Sequence, residues 1–288
     1  MASKKCRHCR LRIVPKFRAL DQAINYLILK QNVLQFPFSI HIGSTNILWH
    51  TITETLGIFV GFRYFLFLRK RRVDAIDSNN RIWIIIGAIF GSLIGSRLIG
   101  GLEDITALQN AFNKALYFYQ NKTVVGGFVG GLFGVELMKK LIKEPQPSGD
   151  LFTYPMILAL IIGRIGCFSM GIYEETYGVP TTLPWAMNLG DGILRHPVCL
   201  YEIAFLITLW VSIVQIDKRL TLVNGAKFKL FMMSYLMFRM LLDFIKPHYT
   251  FSIGLSTIQL TCLAGLVWYG RYILKPKNLL KVAAIKAA

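Results

Sequence analysis

Three arginines stand inside stretches that are otherwise apolar. Arg97 lies in GSLIGSRLIGG, Arg164 in ILALIIGRIGCF and Arg239 in MMSYLMFRMLLDF. A guanidinium is always charged and presents a rigid fork of N–H donors that matches a phosphate or carboxylate two bonds at a time. An arginine at membrane depth is costly, so it is paired, reaches water or serves a function. Between Gly163 and Glu202 the chain leaves one apolar segment, crosses a polar loop and re-enters another through Arg195-His196-Pro197 and Tyr201-Glu202. These residue types suit anion binding by the arginines.

Composition sets the class of protein that must position them. Of 288 residues 54% are hydrophobic and only 17% charged, where a soluble domain carries roughly a quarter charged residues. Several apolar runs approach the ~20 residues needed to span a bilayer, at about 46–68, 81–101, 123–143, 151–172, 197–216, 228–246 and 256–274. The expected fold is all-α and polytopic, with about seven transmembrane helices. A basic head and interfacial segment (1–45) precedes the helical domain (46–275), and a short basic tail (276–288) follows.

Charge placement orients the helices. Arg69-Lys70-Arg71-Arg72, the group Lys139, Lys140 and Lys143, the group Lys218, Arg219, Lys227 and Lys229, and the tail lysines fall on one side if the first helix enters from outside. By the positive-inside rule that side, and the C-terminus, are cytoplasmic. The loops 102–122, 173–196 and 247–255 then face outward. The head is the exception, since its own dense positive charge would lie outside. The net charge of +18 is accounted for by helix ends and the head, and does not call for nucleic acid. Five scattered cysteines form no disulfide framework. Cys6 and Cys9 are one pair of ligands where a tetrahedral metal needs four positions filled, so neither metal nor cofactor is expected.

Glycines recur at four-residue spacing in two segments, Gly87, Gly91, Gly95 and Gly126, Gly130, Gly134. That spacing lets helix backbones approach closely in lipid, or leaves bare backbone for a lipid chain. Counting ~1.5 Å per residue from the cytoplasmic ends puts Arg97, Arg164 and Arg239 at mid-membrane or in its outer half. Tyr201, Glu202, His50 and Glu54 fall in the same layer. Two arrangements satisfy these charges. One is a set of structural pairs: Arg239 with Asp243 four residues on, Arg164 with Glu202, and Arg97 with Glu54 or Glu103. The other is a cationic pocket for an anion arriving within the outer leaflet, of which a phospholipid head group is the natural one.

The blocks GRIGCF, YGVPTTLPW, RHPVCLYE and FRMLLDF, with Gln259 beyond, resemble in order and spacing those of the prolipoprotein diacylglyceryl transferase family. GSRL at Gly95–Leu98 and GGFVGGLFG match two further blocks, and the likeness covers about residues 40–275. The resemblance implies a multi-pass enzyme of the bacterial inner membrane, needing no cofactor. Such an enzyme moves the diacylglyceryl group of phosphatidylglycerol to the lipobox cysteine of a prolipoprotein. Carried over residue by residue, Arg164, Arg239 and Glu202 belong to the catalytic set, with His196 and Glu175 as candidate bases. Arg97, Tyr177, Gly178, Arg195, Tyr201 and Asp243 belong to the lipid-binding set.

The chain departs from the family at four points. Val129 replaces a histidine, Cys167 replaces an asparagine, Asp243 replaces the glutamate after FR, and GIYEETYG carries extra residues, so the matching acid falls at Glu175, with Glu174 next to it. A transferase with another lipid or acceptor, and a lipid-binding protein without catalysis, fit the same arginines. Cys167 itself is a possible nucleophile or, as a buried apolar thiol, simple packing.

Overall fold

In a computed structural model the chain is described over residues 36–281, apart from 43, 44, 72, 73, 75, 248, 252 and 253. The basic head with Cys6 and Cys9, and the tail beyond residue 281, lie outside the described residues. The helices are, in order, α1 Trp49–Arg71, α2 Ser78–Gly101, the short α3 Ile105–Asn110 and α4 Lys114–Gln120, α5 Val124–Leu141, α6 Asp150–Met170, α7 Val198–Arg219, α8 Ala226–Leu242, α9 Thr257–Trp268 and the short α10 Gly270–Leu274. An apolar segment in lipid becomes helix because that conformation bonds its own backbone groups. Four helices, α1, α2, α6 and α7, are long and apolar enough to cross a membrane. Three are shorter than the apolar runs implied. α5 carries Glu136, Lys139 and Lys140 within 18 residues, α8 has 17 residues and α9 has 12.

The all-helical expectation is corrected at two places. Antiparallel strands β1 Ser39–Ile42 and β2 Thr45–Leu48 pair just before α1, with Ser39 opposite Leu48. A smaller pair, β3 Met187–Asn188 with β4 Leu194–Arg195, lies in the loop before α7. Its turn is set by Gly190 and Gly192, both at positive φ, whose N–H groups donate to the Asn188 side chain. The 102–122 loop is also more ordered than expected. Asp104 and Asn113 accept from Ala107 N and Leu116 N and so start α3 and α4.

Close approach of backbones organises the packing. Along the α2–α5 seam a Cβ on Gly91 would stand 2.3 Å from the Gly130 carbonyl oxygen, and one on Gly95 would stand 2.4 Å from that of Gly126. A second seam joins α1 to α6, where Gly57 and Gly61 lie against the Ala159 and Pro155 backbone. The buried core between these seams is Ile157 from α6, Leu206 and Ile213 from α7, and Phe231, Tyr235 and Leu236 from α8.

The basic helix ends gather at one end of the bundle. Arg69 bonds Ser78, Asn80 bonds Glu144, Asp150 accepts from Gly225 N and Phe228 N, Lys227 bonds Asp217 and Lys229 bonds Tyr272. At that end Arg81 is only 2% exposed. Its Nε donates to Asp74 at 2.9 Å, its Nη2 also bonds Asp74, and its Nη1 donates to the Ser148 carbonyl. Burial raises the Asp74 carboxyl, but the hydrogen bond and charge of Arg81 outweigh it and hold the group below the usual carboxylate range. Its contribution to stability is therefore complete above the ordinary carboxylate value near 4 and lost as the pH falls through the depressed one. Asp74→Asn is expected to cost about 2–3 kcal/mol at neutral pH, because a buried guanidinium loses its partner. Denaturation of the two proteins in detergent should show that gap close on acidification below about pH 4.

Candidate active site

Four side chains from three helices meet in the interior. Arg164 comes from α6, Glu202 from the second turn of α7, and Tyr235 and Arg239, one turn apart, share one face of α8. Glu202 is 1% exposed and Tyr235 0%. Tyr235 Oη donates to Glu202 Oε1 at 2.7 Å, and Arg239 Nη1 donates to Oε2 at 3.3 Å. Arg164 Nε stands 2.9 Å from Glu202 Oε1, yet its N–H is not directed at that oxygen and makes no hydrogen bond. Arg239 Nε is likewise buried without a hydrogen-bond partner. Two fixed positive charges thus share one carboxylate and keep donors in reserve. Buried donors in folded proteins are almost always bonded, so this unfilled pair is an exception that calls for a function.

The expected pair of Arg164 with Glu202 is present, but that of Arg239 with Asp243 is not. α8 ends at Leu242 and Asp243 opens a 3-10 turn, so its carboxylate is not carried one α-helical turn above Arg239. Asp243 instead accepts from Ser256 Oγ, and Ser256 caps α9 reciprocally with Gln259. Arg97 also finds neither expected acid. Its guanidinium bonds the Tyr119 carbonyl and lies over the Tyr119 ring at 4.9 Å, while Glu54 pairs with Lys122 at 2.6 Å.

Beside Arg164 lies a second group that joins α1 to the turn after α6. Cys167 Sγ accepts from Arg164 Nη1 at 3.3 Å and lies 3.9 Å from His50 Nε2 and 3.8 Å from Glu174 Oε1. His50 Nε2 and Glu174 Oε2 are 3.5 Å apart. Two glycines make this possible. A Cβ on Gly166 would stand 2.0 Å from Thr53 Oγ1, so only glycine lets α1 bring His50 this close. Gly171, at φ 59°, turns the chain back over the helix end. The chain is extended at Glu174, so successive side chains take opposite sides. The acid beside Cys167 is therefore Glu174, while Glu175 is exposed.

The remaining candidates form a corner of the loop. Arg195 pairs with Asp191 at 2.6 Å and lies over the Tyr177 ring. Burial opposes ionisation of Asp191, but the bond from Arg195 prevails and lowers its carboxyl pKa. His196 Nδ1 is 3.1 Å from Tyr201 Oη, which accepts from Trp185. Gly178 packs on His196, where a Cβ would come within 2.5 Å, and Val179 N donates to the Ile245 carbonyl. The corner thus fastens the loop to the N-terminal end of α7 and the C-terminal end of α8.

Sequence does not single out Tyr235, His50 or Glu103 as site residues, and names Glu174 only as the neighbour of Glu175. Tyr235 is signalled only by its place four residues before Arg239. Glu174 differs from its neighbour only by the direction the turn gives it. Glu103 was read as a partner for Arg97, but it lies among Lys246, Asp243 and Arg239, and burial pushes its carboxyl up against the pull of Lys246. Val129, in the histidine position of the resemblance, packs apolar against the core near Gly265. A cavity of 570 Å³ lies at the basic end between α2, α5, α6, α8 and α10, and includes none of Arg164, Glu202 and Arg239.

Comparison with known proteins places the chain in a family. A sequence model of the prolipoprotein diacylglyceryl transferase family matches residues 37–274. The phosphatidylglycerol–prolipoprotein diacylglyceryl transferase of Nitratidesulfovibrio vulgaris is 31% identical over 224 residues, covering 73% of this chain and 80% of that protein. Those of Cupriavidus pinatubonensis and of Wolbachia pipientis from Culex pipiens are 29% and 28% identical, covering 86% and 78% of this chain, and 90% and 87% of those proteins. With the match running from the first strand to α10, the chain belongs to the prolipoprotein diacylglyceryl transferase family of membrane proteins.

Proposed function

We propose that this protein transfers the diacylglyceryl group of phosphatidylglycerol to the cysteine thiol of a lipobox-containing prolipoprotein. The observation that carries this reading is the pair of buried guanidiniums of Arg164 and Arg239, drawn together by Glu202 with Nε–H donors left over. A lipid phosphate fits that arrangement, since a guanidinium can bond two of its oxygens. The acceptor sulfur attacks the glyceryl carbon that bears the phosphate. The S–C bond forms, the C–O bond breaks, and glycerol phosphate leaves with the electron pair on its oxygen. Negative charge grows on that oxygen in the transition state, where fixed cations in a dry site act most strongly.

Glu202 holds its lone pairs toward Arg164, Arg239 and Tyr235, so its role is to position the guanidiniums. Cys167 does not relay the group, because a thioether on it would have a poor leaving group. The groups left to activate the acceptor thiol are His50 and Glu174 at the site and His196 in the loop corner. Tyr177, Gly178, Arg195 and Tyr201 hold the loop at the start of α7, and Arg97 and Asp243 hold helix ends.

The positive-inside rule gives the setting. Seven membrane-spanning helices, α1, α2 and α5–α9, form one domain over residues 46–275, between the basic head and the tail. The N-terminal side of α1 faces outward and the C-terminus is cytoplasmic, in the inner membrane of a bacterium. The partners are an anionic phospholipid and a prolipoprotein, and nucleic acid is not one.

The test uses the full chain in vesicles containing phosphatidylglycerol and a lipobox peptide. The expected result is a diacylglyceryl mass gain on the peptide with matching release of glycerol phosphate. Neither product, while a relative is active in parallel, would sink the reading.

A further inference from the structure

The His50–Cys167–Glu174 group has the makings of a metal site. The three residues come from α1, α6 and the turn beyond it, and supply an imidazole nitrogen, a sulfur and a carboxylate within 4.8 Å of one another. The nearest approaches are 3.9 Å from His50 Nε2 to Cys167 Sγ, 3.8 Å from Cys167 Sγ to Glu174 Oε1 and 3.5 Å from His50 Nε2 to Glu174 Oε2. Zinc bonds of about 2.3 Å to sulfur and 2.0–2.2 Å to nitrogen or oxygen set tetrahedral ligands of these types roughly 3.3–3.6 Å apart, so closing the set on one Glu174 oxygen takes about an ångström or less of side-chain movement. A second observation points the same way. Glu174 Oε2 is buried without a hydrogen-bond partner, although the Glu174 side chain is 27% exposed and His50 17%. The group is therefore open on one side and unsatisfied within.

We infer that His50, Cys167 and Glu174 bind a zinc-like divalent cation whose fourth position takes the acceptor's cysteine sulfur. A thiolate, a carboxylate and a neutral imidazole balance a dication, so the filled site carries no net charge beside Arg164. Three protein ligands with one open position is the pattern of catalytic zinc. Arg164 Nη1, 3.3 Å from Cys167 Sγ, can donate to a metal-bound thiolate, and its charge is already shared with Glu202. The same guanidinium would touch the lipid phosphate, which places acceptor sulfur and glyceryl carbon on adjoining groups.

This inference rests on the transferase reading and supplies the step that Val129 cannot. A coordinated thiol gives up its proton to solvent. Its sulfur lone pair then forms the bond to the glyceryl carbon as the C–O bond to phosphate breaks. The neutral thioether product is the weaker ligand and leaves the metal for the next thiol. A free thiol with a pKa near 8.5 is only a few per cent thiolate at pH 7, so coordination should raise the rate about tenfold after allowing for a softened nucleophile.

The experiment uses the full chain, stripped of metal by chelator in detergent and titrated with Co²⁺ alone. One equivalent should give thiolate-to-cobalt charge-transfer absorption and the visible bands of a tetrahedral ion, both displaced by Zn²⁺. Cys167→Asn and Cys167→Ser should each abolish the charge-transfer band, and Glu174→Gln should weaken binding. Absence of that band in the unaltered protein, or its persistence in both Cys167 variants, overturns the site.

Activity is then read with and without Zn²⁺ in the peptide assay. A zinc-dependent gain of about tenfold supports thiol activation, and equal rates with a formed site overturn it. A formed cobalt site with no peptide product under either condition leaves the metal site standing and overturns the transferase reading instead.

Discussion

Arg164→Ala and Arg239→Ala should each lower diacylglyceryl transfer on the order of 10³-fold, the range seen when a donor to developing charge is removed from a dry site. The loss should fall on kcat more than on KM, because leaving-group charge is greatest in the transition state. Lysine at either position should rescue poorly, since an ammonium lacks the planar fork and shorter reach of bonds that two buried guanidiniums offer. Glu202→Gln separates positioning from charge. It leaves both arginines buried and mutually repelling, which costs about 3–5 kcal/mol of stability as well as turnover. Thermal unfolding beside initial rates in vesicles distinguishes these outcomes. Wild-type rates in both alanine variants would remove the arginine pair from the mechanism.

The second large effect concerns the seam between α2 and α5. Gly91→Val or Gly130→Val should cost about 3 kcal/mol or more and deplete folded protein in the membrane. A Cβ at either position stands 2.3 Å from the opposing carbonyl oxygen, a contact that only separation of the two helices relieves. Helix association in lipid depends on such close packing, because no hydrophobic drive compensates when it is lost. Gly127→Ala is the control on the same helix. Its Cβ would meet nothing nearer than Ser96 at 3.7 Å, and it should fold as the parent does. Equal stability of Gly130→Val and Gly127→Ala would show that the seam is not what holds α2 to α5.

Much of this was readable from residue types alone. Apolar runs and lysine and arginine clusters announce a helical membrane protein, because lipid compels internal backbone bonding and the bilayer sorts charge at helix ends. The four-residue glycine spacing announces a close seam, since that period returns to one helix face. An arginine among leucines and isoleucines announces a site, because its burial demands a reason. The same signal marks Arg97, Arg164 and Arg239 alike, and does not separate the two that share Glu202 from the one that bonds Tyr119.

Partnership was decided by the tertiary structure. Arg239 and Asp243 look paired at helical spacing, but the helix ends between them, and Glu202 arrives from α7 to take the arginine. Glu174 and Glu175 are alike in type and adjacent in sequence, and only the turn at Gly171 decides which one faces Cys167. His50 lies 117 positions before Cys167, and nothing local links them. Sequence carries the local terms of the energy, propensity and hydrophobic pattern. Which charges meet depends on how whole helices pack, and that is fixed by contacts between residues far apart in the chain.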